Sequence, residues 1–247
     1  MNHGQPAPAP VELLEARRVR LVETAPPEPS AAQRVAMERV WAAEVRANPA
    51  FFDGPVTICT GARWAEPGTL ELSWARSSFR HRALCQVPGA GQWSSFFVTV
   101  LQRDERGRLL VGRQSGDTAA PGRWQPAGGL IEPPAPGAEL DLAALARHAA
   151  VELAEELGIR TPARQLAPAF VTRGAHGNTG VHFLAPPRPA AELLARHAEL
   201  AAAERAAGRE PELERLALIA DPAELLGLEG TLVDYLVPVA AWGLGRR

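Results

Sequence analysis

The chain has 247 residues, 46% of them hydrophobic and 22% charged, the balance of a globular protein able to bury a sizeable core. A net charge of -2 gives no basic field for nucleic acid or an anionic membrane, and no apolar run approaches the ~18 residues of a membrane span. The opening MNHGQPAPAP lacks an apolar export core, and the two cysteines, Cys59 and Cys85, form neither a CxxC nor a zinc-type cluster, so the expectation is a soluble cytoplasmic protein with free thiols.

Residues 1–10 are Pro/Ala-rich and expected to be a disordered tail. Arg18–Glu23 alternates as a short strand, stopped by TAPPEP. Ser30 is placed to cap a helix running to Ala47, with Val35, Met37, Val40, Trp41 and Val45 toward a core and Asn48-Pro49 closing it. Val56–Thr60 and Leu70–Trp74 read as strands, making a hairpin over residues 55–75. In the stretch from Ser77 to Trp93, Phe79, Arg80, His81 and Arg82 put an aromatic beside three possible cations, a surface for a base and a phosphate or simply an exposed loop. Phe96–Gln102 and Arg108–Arg113 read as a hairpin around an Asp104–Gly107 turn, leading into GRWQPAGGLIE at Gly122 to Glu132.

Asp141 to Gly158, DLAALARHAAVELAEELG, has an N-capping aspartate, a C-terminal glycine stop and a helical period between them. At about 100° per residue Leu142, Leu145, Ala146, Ala149, Leu153 and Leu157 gather into one apolar stripe. Glu156 falls inside that stripe, with Glu152 on its flank and Glu155 beyond. A carboxylate on the buried side is costly unless a cation neutralises it, and carboxylates at i, i+3 and i+4 make an oxygen cluster suited to a hard divalent metal. Farther on, Ala167–Thr172 and Val181–Ala185 read as strands joined by RGAHGNTG, whose Arg173, His176 and Asn178 are candidates to line a cleft. An alanine-rich helix over residues 189–210, a strand Leu216–Ala220 and helical pieces interrupted by Gly227 and Pro238 complete a mixed-sheet α/β pattern.

Gly129 to Ile159 resembles the signature of the Nudix hydrolases. Glu152-Leu153-Ala154-Glu155-Glu156-Leu157-Gly158-Ile159 matches the signature from its REU glutamate onward, and Trp124 stands before Gly128-Gly129 as in a WxxPGG entry, with Ala127 replacing proline. Val151 occupies the position of the signature arginine, and Arg147, one turn earlier, is a partial substitute. About eight extra residues precede the helix, leaving Glu139 or Glu132 as the signature's first glutamate. VWAAEVRANPAFFDGPVTI, LSWARSSFRHRAL and TRGAHGNTGVHFLA are similar to the branch of that family that cleaves UDP-glucose and UDP-galactose.

The resemblance implies a Nudix-type α/β/α sandwich with a mixed sheet over residues 93–247 and an N-terminal α+β extension over 11–92. It implies Mg2+ or Mn2+ as cofactor, held by Gly128 (through its carbonyl), Glu152, Glu155 and Glu156, the three glutamates also being catalytic. It implies a small-molecule nucleotide partner, with hydrolysis of a UDP-hexose to UMP and hexose 1-phosphate. Arg113, Arg173 and Arg80 are candidate substrate-binding groups, and Glu212 or Glu214 a candidate late-loop carboxylate. Two alternatives stay open: a Nudix hydrolase of ADP-ribose or another nucleotide derivative, and a non-catalytic nucleotide-binding regulatory module.

Overall fold

The computed structural model describes residues 10–90, 93–174 and 177–245, so the expected tail, but for Pro10, and His176 lie outside the described residues. The chain begins with β1 (Glu12–Leu14), β2 (Arg18–Glu23), α1 (Ala31–Ala47), β3 (Pro55–Glu66) and β4 (Thr69–Ser78). Ser30 starts α1 as the sequence predicts. Its hydroxyl accepts from the Gln33 N–H at 3.2 Å, and the Gln33 side chain accepts from the Ser30 N–H at 2.8 Å, so two otherwise orphaned donors are satisfied together. Met37 is the buried anchor of the helix, whereas Val35, expected beside it, is 55% exposed, because residues two apart on a helix point about 200° from one another. The expected hairpin is longer than its apolar pattern, since Pro67 and Gly68 at φ +82° form its turn and β2 joins β4 in parallel to give the order β2-β4-β3.

Then follow β5 (Phe96–Leu101), β6 (Leu109–Gln114), β7 (Arg123–Gln125), α2 (Leu142–Leu157), β8 (Ala167–Arg173), β9 (Thr179–Leu184), α3 (Ala190–Ala206), β10 (Leu213–Ile219), β11 (Thr231–Leu232) and α4 (Leu236–Gly245). Two four-stranded sheets result, β1-β8-β9-β5 and β10-β6-β7-β11, each with parallel and antiparallel pairs. The expected hairpin of β5 and β6 divides between them. Among the described residues the two strands meet at the turn, through the Arg103–Leu109 bridge and the Leu110 N–H to Gln102 carbonyl bond of 2.9 Å. Beyond it β5 pairs with β9, and its other edge is taken by the segment Ala127–Ile131. Asp104 fixes the parting point, accepting the Arg106 and Arg108 N–H groups at 3.0 and 2.7 Å and the Arg108 guanidinium at 2.7 Å.

Strand β5 is buried throughout, and its period of two explains how. Phe96, Val98 and Val100 share a core with Leu145, Leu153 and Leu157 of α2, while Phe97 and Leu101 share one with Leu236 and Val239 of α4. Each buried leucine contributes about 1.5–3 kcal/mol, so α2 is pinned to β5 at several points. Strand β10 starts at Leu213, earlier than its apolar run, and Pro238 lies in the first turn of α4, where no intrahelical N–H is needed. No helix among the described residues is long and apolar enough to cross a membrane.

Candidate active site

Helix α2 begins and ends where its sequence dictates. Asp141 accepts the Ala144 N–H at 2.6 Å, and Gly158 at φ +69° lets its own N–H reach Ala154 at 3.0 Å and the Ile159 N–H reach Leu153 at 3.4 Å. The apolar stripe from Leu145 to Leu157 is buried, and Glu156 is buried with it at 1% exposure. Glu152 is half-buried on the flank and Glu155 exposed. Two glycines bring the preceding loop against this helix. The Val98 N–H bonds the Gly129 carbonyl at 3.0 Å and the Val100 N–H the Ala127 carbonyl at 2.8 Å, so the loop lies along β5. A Cβ at Gly128 would stand 2.1 Å from the Val98 oxygen, and one at Gly129 would stand 2.5 Å from Glu152 Oε1. Strand and carboxylate together leave room for hydrogen only.

The Gly128 N–H donates to Glu156 Oε2 at 2.9 Å, but Glu156 Oε1 is buried with no hydrogen-bond partner among the described residues. Its neighbour is the Glu212 carboxyl, just before β10. Burial first, then the charges of Glu212 and Glu152, push the Glu156 pKa well above the usual carboxylate range, against the Gly128 bond. Glu212 is exposed as a residue, yet its carboxyl end turns inward toward Glu156. Burial of the carboxyl and the charges of Glu152 and Glu155 raise its pKa, against the effect of the adjoining Glu156 carboxyl. Two carboxyls in contact cannot both stay ionised cheaply, so the pair must share a proton or face a cation. Among the described residues no group of three or more His, Cys, Asp or Glu is arranged to hold a metal ion. What fits a hard divalent cation is the donor chemistry: all-oxygen ligands, with one buried oxygen unpartnered.

Each of the expected cations is paired with a carboxylate outside the α2 glutamates. Arg113 pairs with Glu214, Arg173 with Glu12 at 2.7 Å, and Arg80 with Asp53 at 3.2 Å and Glu38 at 3.4 Å. Of the two late carboxylates left open by the sequence, Glu212 reaches the glutamates, and Glu214 reaches Arg113. Both first-glutamate candidates are exposed, and of the two it is Glu132 whose charge acts on His148. Val151 and Arg147 both lie on the exposed side of α2. Asn178 is half-buried, and its loop closes through the Gly174 N–H to the Asn178 carbonyl at 2.8 Å.

No protein-family model matches the chain, and no curated protein does. Among solved structures it is similar to the MutT protein from Methanosarcina mazei Go1, at 20% identity over 61% of this chain and 90% of that one, with a TM-score of 0.38. It is similar to DR0079 from Deinococcus radiodurans at 15% identity over 63% and 86%, TM-score 0.39. A MutT/nudix family protein from Enterococcus faecalis matches at 10% identity over 52% of this chain and 44% of that one, TM-score 0.32. The similarity to Nudix and MutT proteins is weak and partial. At these TM-scores it carries no argument about the site.

Two residues at the site were missing from the sequence reading. His148 Nε2 lies 2.9 Å from the Leu130 carbonyl and 3.1 Å from Glu152 Oε1, tying loop to helix. Burial alone would lower its pKa, but the Glu152 bond and charge, the Leu130 carbonyl and Glu132 outweigh it, and the net shift is upward. The signal was present as an i, i+4 spacing to Glu152. Tyr235 left no such signal, being far away in the chain. Its ring stacks on Phe97 at 4.9 Å, and burial, then the charges of Asp234 and Glu156, raise its pKa, so the phenol stays protonated.

Proposed function

We propose that the chain hydrolyses the pyrophosphate bond of a nucleoside diphosphate sugar, UDP-glucose or UDP-galactose, giving UMP and hexose 1-phosphate. The observation that carries this reading is Glu156: a buried carboxylate with one oxygen unpartnered, set against a second carboxyl. Glu152, Glu155 and Glu156, with Glu212 and the Gly128 carbonyl, would hold Mg2+ or Mn2+. A divalent ion bound there would neutralise diphosphate charge and lower the pKa of a water, so that the water gives up a proton more readily as it attacks. The protein's own part is positioning and proton transfer. Gly128 orients Glu156 through its N–H, and His148 holds Glu152 against Gly129. One of Glu152, Glu155 or Glu212 accepts the proton of the attacking water. Arg113 and Arg173 neutralise phosphate by exchanging Glu214 and Glu12 for substrate, with Arg80 presented from the extension over residues 11–92.

The choice of UDP-hexose rests on the phrases shared with that Nudix branch. A second reading, a nucleotide-binding module without turnover, draws on the lack of a ready-gathered ligand set among the described residues. Incubation with Mg2+ and UDP-glucose, UDP-galactose, ADP-ribose or nucleoside triphosphates, followed by product analysis, separates them. Release of UMP from the UDP-hexoses is the expected outcome. Turnover confined to ADP-ribose would sink the sugar assignment, and binding without turnover of any compound would favour the module.

A further inference from the structure

A cavity of about 310 Å³ lies away from the glutamates, between the Pro26–Pro29 segment, the β3–β4 hairpin and the helical turn Phe79–Gln86. None of its lining residues belongs to the carboxylate cluster. Its apolar lining is Ile58, Leu84 and Trp93, all buried. Its cationic lining comes from Arg34 and Arg76, with the His81 imidazole beside them and Glu28 as the acidic residue among the lining groups. Two of the polar groups are fixed from behind. Arg76 uses Nε on Glu23 at 2.8 Å and Nη1 on the Pro134 carbonyl at 2.7 Å, and its guanidinium lies over Trp74. A guanidinium has five N–H donors, so others remain for a ligand. His81 Nδ1 is engaged by the Ser77 and Ser78 hydroxyls, at 3.3 and 3.0 Å, which leaves the other ring nitrogen of this lining residue for a ligand. Arg34 ties α1 to the rim through the Pro29 carbonyl at 2.7 Å, and the prolines of that rim have little freedom to lose on binding. In the neighbouring turn the other cations are engaged, Arg80 on Asp53 and Arg82 on Glu44.

We propose that this cavity binds a small aromatic phosphate, its ring against Trp93 and Leu84 and its phosphate among Arg34, Arg76 and His81. A volume near the lower end of ligand pockets fits a molecule of that size. Fixed guanidinium and imidazole donors over an apolar floor match one ring joined to one anionic group. Because Arg76 already pairs with Glu23 and Glu28 is near, the net positive charge is small, which favours a single phosphate over a diphosphate.

The test is calorimetric titration of the full chain, without divalent metal, with phenyl phosphate and with inorganic phosphate. Phenyl phosphate is expected to bind at least ~10-fold more tightly than inorganic phosphate, because only it covers the apolar floor. Replacing Arg34→Ala and His81→Ala together is expected to weaken it at least ~10-fold, by loss of charge-assisted bonds. Glu156→Gln is expected to leave it unchanged. No binding of phenyl phosphate, equal affinity for both probes, wild-type affinity in the folded double variant, or loss of binding in Glu156→Gln each overturns the proposal. If the double variant does not fold, Arg34→Ala alone, at an exposed helix position, decides by a loss of at least ~3-fold or none.

Discussion

His182 and Glu156 are both ionisable, both buried and both close to Tyr235, yet their surroundings differ in kind. His182 has each ring nitrogen on a threonine hydroxyl, Nδ1 to Thr99 at 2.6 Å and Nε2 to Thr172 at 2.7 Å, with Phe170 stacked on its ring at 4.7 Å. Burial drives its pKa down to about 3, so it stays neutral and the network is complete. Glu156 has one oxygen on Gly128, one unpartnered, and a second carboxyl as its neighbour. A satisfied buried polar group specifies a core; an unsatisfied one needs a further partner. The first centre is therefore read as structural and the second as functional.

The largest effect should come from removing the closed centre. His182→Ala would leave a cavity and two threonine hydroxyls without partners, and is expected to cost about 3 kcal/mol or more in urea unfolding. A loss below ~1 kcal/mol would mean the network contributes little to the fold. At the open centre the effect should fall on chemistry. Glu156→Gln keeps the volume and removes the charge, and is expected to lower metal-dependent hydrolysis at least ~100-fold, about 2.7 kcal/mol on the barrier, without unfolding the chain. Near wild-type turnover would refute the assignment.

A smaller contrast tests the rim of the open centre. Glu212→Gln should reduce turnover about tenfold, because its carboxyl reaches Glu156. Glu214→Gln, which only frees Arg113, should change kcat/KM by less than ~3-fold. Equal effects would place both carboxylates, or neither, in the site.

The difference between the centres also shows what was legible in the sequence. Helix α2, its caps and the burial of Glu156 followed from local periodicity, whereas the glycine loop before it was marked only by the resemblance of its motif. His182 gave no sign, since Thr99 and Thr172 come from other strands and only the sheet order β8-β9-β5 assembles the three. The parting of β5 from β6 was hidden for the same reason: a turn signal at Asp104 fixes the corner, while strand partners are chosen by distant segments. The carboxylates that hold the candidate arginines could not be read from the sequence, because long side chains settle on whichever carboxylate the fold brings near, as Arg113 does on Glu214 and Arg173 on Glu12. Nothing in a local pattern announces those pairs.

The smallest expected effect is also the one in which the two centres oppose each other, the dependence of stability on pH without metal. For His182 the folded pKa, about 3, lies below the unfolded one, so its contribution is complete above the unfolded value near ~6.5 and is lost as pH falls toward about 3. For Glu156 the folded pKa is raised, so its contribution is complete below the unfolded value near ~4.3 and is lost as pH rises through the folded one. In a chelating buffer at pH 7–8, Glu156→Gln should therefore melt roughly 2–4 °C higher than wild type, the shift that ~1 kcal/mol gives a chain of this size. Near pH 4 most of the gain should vanish, because the wild-type carboxyl is then protonated in the folded state and largely so in the unfolded one. Added Mg2+ should stabilise wild type but not the variant, since only wild type offers the full carboxylate charge. A gain that persists unchanged at pH 4 would show that repacking, and not the buried charge, separates the two proteins.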